Sequence, residues 1–125
     1  MSNRICFYTR VRIKQGEFEA FLEAAKRFVK AVESEPGAIS CSAYFDEDKR
    51  TVVWVEQFED ANAFLAHFEH PQAKEMAPDL IPRVEEFERV DVYGNVPDEI
   101  INGMREQGMP VASFPEHAAY FAAPK

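Results

Sequence analysis

The chain carries 125 residues and 14.3 kDa, enough for one sheet with a layer of helices and too little for two independent cores. A hydrophobic share of 46% with 11 Phe belongs to a packed protein and argues against disorder. The 22 acidic against 14 basic residues leave a formal net charge of -8, which repels phosphate backbones and anionic lipid, so neither nucleic acid nor a membrane is an expected partner.

Met1 to Arg4 lead straight into a strand-like segment, and no run of about 18 apolar residues occurs, so the expectation is no membrane span, no signal peptide and a cytoplasmic location. Ile5 to Ile13 alternates, with Ile5, Phe7, Thr9, Val11 and Ile13 on one face and Cys6, Tyr8, Arg10 and Arg12 on the other, which predicts a first strand. Past Gln15 and Gly16, the residues Phe18, Phe21, Leu22, Ala25, Phe28, Val29 and Val32 recur at helical spacing. Glu17 and Glu19 near its start and Lys26, Arg27 and Lys30 further on complement the helix dipole.

Glu35, Pro36 and Gly37 end that helix, because proline cannot continue it and glycine accepts a positive φ. Two strands come next, Ala38 to Phe45 and Thr51 to Phe58, joined by a turn of about four charged residues, Asp46 to Lys49. Val52, Trp54, Glu56 and Phe58 oppose Val53, Val55 and Gln57, so the second of these strands is apolar on both faces through its middle. Helices in a chain this size cover one face only. Trp54 and three valines left against water would make a patch typical of an association surface, which predicts a homodimer built sheet to sheet.

Asp60 is placed to cap a helix to Glu69 with Phe64, Leu65 and Phe68 inward and His67 beside them; Pro71 breaks or bends it. Gln72 to Leu80 adds one or two helical turns limited by Pro78 and Pro82, and Val84 to Val92 reads as a fourth strand, charged at its start. Strand, helix, strand, strand, helix, strand is the ferredoxin-like α+β arrangement, with strand one between strands three and four. Residues 4–95 therefore form the expected domain and residues 96–125 an addition: a helix from Pro97 to Gly108, then Val111, Phe114, Tyr120 and Phe121, too apolar for a free end. This tail either covers core, lids a pocket or straps a partner subunit. Cys6 and Cys41 are too few for a disulfide framework and read as small buried apolar residues.

The segment Glu35, Pro36, Gly37, then Tyr44, the acidic turn, Val55, Glu56, Phe58, Asp60, Ala63, His67 and Pro71 resembles the antibiotic biosynthesis monooxygenase family. The resemblance implies a dimeric α+β barrel and, in members that are enzymes, oxidation of small aromatic or quinol-like substrates by molecular oxygen with no cofactor, metal or flavin. It makes His67 the expected proton acceptor, with Glu56 as the second catalytic group and Trp54, Tyr44, Tyr8, Phe64 and Phe68 as substrate-binding residues. Simpler alternatives are a packing role for His67 and Trp54, and an ion pair between Glu56 and Arg10 or Arg12. His67 and His70 have the spacing of a metal pair without a third ligand. The chain also departs from the family pattern, with Phe58 where many members end strand three in tryptophan. Thr9, His67 and Ala77 stand at the positions that haem-degrading relatives use, which disfavours haem degradation. A proton-transfer isomerase and a non-catalytic ligand-binding dimer are the other readings of the same barrel.

Overall fold

The computed structural model describes residues 3–123. Strand β1 (Ile5–Ile13) leads into helix α1 (Phe18–Val32), the hairpin β2 (Ala38–Asp46) and β3 (Thr51–Phe58), and helices α2 (Ala61–Glu69) and α3 (Pro71–Leu80). A short 3-10 turn (Ile81–Arg83), strand β4 (Val84–Tyr93), helix α4 (Asp98–Glu106) and strand β5 (Val111–Phe114) complete it. The sheet order is β2-β3-β1-β4-β5, with β1 between β3 and β4. Every pairing is antiparallel except that of β5, which adds to β4 in parallel. The expected ferredoxin-like α+β fold is therefore present, extended by one strand.

Strand parity divides the residues as the sequence implies. Along β1 every second residue from Ile5 to Ile13 is buried, and along β3 the buried set is Val52, Trp54, Glu56 and Phe58. These face the helices. Phe18, Phe21, Ala24 and Ala25 of α1 close over Val11, Ile13, Val52 and Trp54, while Phe64 of α2 and Ile101 and Met104 of α4 close over Ile5, Phe7, Phe58, Val90 and Val92. Full burial of one such Phe is worth about 2–3 kcal/mol, so these two clusters hold the helix layer in place.

Three local features set α2 and α3 over the sheet. Asp60 accepts from the Ala63 amide at 2.8 Å and caps α2 as the sequence predicts. Gly37 has φ +82, and a Cβ built there would lie 2.5 Å from the Ala63 Cβ, so only glycine lets the turn after α1 approach the first turn of α2. His70 leaves the helical region and its Nδ1 accepts from the Gln72 amide, so this histidine caps α3. Helix α3 begins at Pro71 and runs past Pro78 to Leu80, longer than the one or two turns expected, because Leu80 is seated in the core.

The expectation for Trp54 needs correction. It lies on the helix side against Phe21 and Phe28, at ring distances of 5.4 and 6.3 Å, together with Val52. The other face of the hairpin carries Val53 and Val55, half-buried within the single chain.

Candidate functional site

A cavity of about 310 Å³ lies between the sheet and the helices. This is the lower end of the range in which small ligands are held. Phe7, Thr9, Trp54 and Glu56 form its floor, His67 and Phe68 of α2 with Phe21 and Phe28 of α1 its roof, and Lys74 and Ala77 of α3 with Gln107 and Met109 its outer walls. Lys74, Ile81 and Gln107 are exposed and mark the mouth; Glu56 and His67 are buried at the inner end.

Each polar group at that inner end has a structural reason for its place. His67 stands on the inward face of α2 one turn after Phe64, and its ring packs against Phe58, Phe68 and Phe28 at 5.2, 5.3 and 5.6 Å. Glu56 points the same way as Trp54 because the two are two positions apart along β3. Glu35 arrives from the turn after α1, which the missing Cβ of Gly37 allows to pack under α2. Both Glu35 carboxylate oxygens meet His67 Nδ1, at 2.9 and 3.1 Å. Two oxygens sharing one ring nitrogen describe a carboxylate accepting an N–H, which places a proton on Nδ1; in the neutral imidazole the lone pair is then on Nε2.

On the other side of the ring, Nε2 lies 3.8 Å from Glu56 Oε1, beyond hydrogen-bond distance. That same oxygen accepts from the Cys41 thiol at 3.6 Å. Glu35, Glu56 and His67 are only 7%, 3% and 4% exposed. Two carboxyl groups buried this close together disfavour each other's charged form. Burial drives the Glu56 carboxyl above the usual range, and the charge of Glu35 adds to this; His67 and Cys41 oppose it without reversing it. Burial, with Glu56 beside it, also pushes the Cys41 thiol up, which makes Cys41 a hydrogen-bond donor and a poor nucleophile.

The arrangement therefore places an imidazole held by one carboxyl group and, nearby, a second carboxyl group whose neutral form burial favours, both buried in the lining of an aromatic cavity. Of the residues the sequence singles out, the structure brings together His67, Glu56, Trp54 and Phe68. Phe64 lies behind this wall, fully buried, edge-on to Phe7, Phe58 and Phe68 at 5.3, 5.6 and 5.0 Å. Tyr8 and Tyr44 are corrected: Tyr8 is opposite Val55 and Tyr44 opposite Val53, which puts both on the face turned away from the cavity. An ion pair of Glu56 with Arg10 or Arg12 is ruled out by the same parity, since those arginines bind Glu88 and Glu85 outside. Among the described residues, no group of three or more His, Cys, Asp or Glu side chains is placed to hold a metal ion.

Glu35 is the group at the site to which reading of the sequence gives a helix end and a place in the family motif but no partner. A signal was available: acidic side chains near a helix C-terminus oppose the dipole, so a glutamate just past α1 asks for another partner. Gln107 and Met109 are a second omission, contributed by the C-terminal addition.

Solved structures share this architecture. MupZ from Pseudomonas fluorescens is 17% identical with a TM-score of 0.80, covering 98% of this chain and 91% of its own. The protein SO0527 from Shewanella oneidensis is 26% identical with a TM-score of 0.66, over 74% of this chain and 91% of its own. A protein named antibiotic biosynthesis monooxygenase is 16% identical with a TM-score of 0.62, over 70% and 92%. No curated protein matches the chain in sequence. The model of one family, antibiotic biosynthesis monooxygenase, matches residues 4–79, more than half of the chain, and the protein belongs to that family.

Proposed function

We propose that the protein is a cofactor-independent monooxygenase that oxidises a small aromatic or quinol-like substrate with molecular oxygen. The observation that carries this reading is His67, its Nδ1 proton accepted by Glu35 and its Nε2 at the wall of an aromatic cavity in a chain of this family. A phenolic hydroxyl gives its proton to Nε2, leaving a phenolate whose ring is electron-rich enough to react with dioxygen. Dioxygen bonds to a ring carbon, and the proton held on Nε2 passes to its outer oxygen, giving a hydroperoxide. Nε2 then takes that carbon's hydrogen as a proton while the O–O bond breaks, which leaves a carbonyl on the ring and a proton to restore Glu56. The protonated Glu56 supplies the proton with which the departing hydroxide becomes water. One oxygen atom thus enters the substrate and the other leaves as water. Trp54 and Phe68 hold the substrate ring, and the dry walls keep the anion from water.

Oxygen-electrode measurements over a panel of phenols and quinols test this. The wild-type protein consumes oxygen above the non-enzymic rate and His67→Ala loses roughly 10²–10³ of that activity, the usual contribution of a positioned base. Equal uptake by the two proteins refutes the assignment. A second reading, proton transfer without oxygen, is favoured by the placing of a base and an acid 3.8 Å apart. Solvent deuterium entering a ligand without oxygen uptake would select it.

The protein is further proposed to act as a homodimer in which the outward sheet faces of two copies press together. Val53 and Val55 with the outward Tyr8 and Tyr44 support this.

A further inference from the structure

The turn after α4 is built more tightly than the mere cover of a core requires. Gly108, at φ +89, donates to the Arg105 carbonyl at 3.0 Å, and Met109 donates to the Met104 carbonyl at 3.2 Å. This double closure is a Schellman end, which folds the residue after the glycine back against the last turn of its own helix. Met109 is accordingly packed on the core cluster that contains Met104. Arg105 then donates from Nε and Nη2 to the Val111 carbonyl, at 3.2 and 3.1 Å, and Val111 pairs with Val90 of β4. The segment between is held at both ends. Its Gln107, exposed, and Met109, half-buried, belong to the lining of the cavity, in which Glu56 and His67 are the buried polar groups.

We propose that the turn at residues 107–109 is the length gauge of the cavity, and that the substrate is a phenol carrying an apolar substituent directed away from its hydroxyl and ending on Met109. This rests on the reading of His67 as proton acceptor, which fixes the end taken by the hydroxyl. An apolar body suits the aromatic lining between the two ends, and a thioether at the limit of that body tolerates chains of different shape.

Titration calorimetry with a series of 4-alkylphenols of increasing chain length tests the gauge. In the wild-type protein affinity rises by about fourfold for each methylene buried, then stops rising at a definite length. Met109→Ala moves that limit to longer chains and Met109→Trp to shorter ones, with the shortest phenols bound within about twofold of wild type, and thermal melts report that each variant is folded. A protein that consumes no oxygen with any phenol and still shows the limit would refute the oxygenase and leave the gauge standing. A limit unmoved in both Met109 variants, a uniform weakening across the series, or binding of none of its members overturns the gauge.

Discussion

The two faces of one sheet treat charge in opposite ways. Outward, Arg12 meets Glu85 at 2.6 Å and Glu88 at 3.0 Å, with side chains a quarter to two-fifths exposed. Inward, Glu35, His67 and Glu56 are closed off from water. Solvent screens the outer ladder, and such pairs contribute about 0–1 kcal/mol each. No such screening reaches the inner trio, where a missing partner leaves a buried polar group unsatisfied. Alternation along a strand thus sends Glu56 inward to the buried trio while glutamates of β4 meet arginines on the surface.

Three tests would break this contrast, taken from the largest effect. Val55→Glu places a charge in the middle of the outward face; size-exclusion chromatography should show the wild type at twice the mass of the variant, and an unaltered dimer would remove that face as the interface. Glu35→Ala strands the His67 Nδ1 proton and should cost about 3 kcal/mol in urea unfolding, against under about 1 kcal/mol for Arg12→Ala. Equal costs would erase the distinction between the faces.

Glu56→Gln has the smallest effect and is the most diagnostic, because its size depends on pH. A carboxyl whose folded pKa lies above its unfolded value stabilises the fold most when protonated and loses that contribution as pH rises through the folded pKa. The neutral glutamine has nothing to lose. The variant should therefore gain on the wild type in melting temperature as pH rises from about 4.5, the gain levelling off once Glu56 has ionised. A gap independent of pH would show that Glu56 is not driven upward by burial.

Much of this is legible in the chain. The apolar stripe of α1, the alternation of β1 and the Asp60 cap each arise from local periodicity or local hydrogen bonding, and they order the elements without ambiguity. The features that escape a reading of the sequence depend on contacts remote along it. Strand β5 is four residues long and exists because β4 offers a free edge for parallel pairing. The Glu35 contact to His67 spans 32 positions and needs the turn at Gly37 to close. Tyr8 is a different case. Its neighbours Arg10 and Arg12 share its face, so the pattern of β1 already sets it outward, and strand parity is a better guide to a cavity wall than aromatic character.

Gly37 makes the alignment of the Glu35–His67 contact depend on an atom that is not there. A methyl group at this position would have to displace the start of α2, and the imidazole, further along that rod, would swing with it relative to a carboxylate fastened to the preceding turn. The contact can thus be loosened from a place outside the cavity lining, by leverage instead of by chemistry.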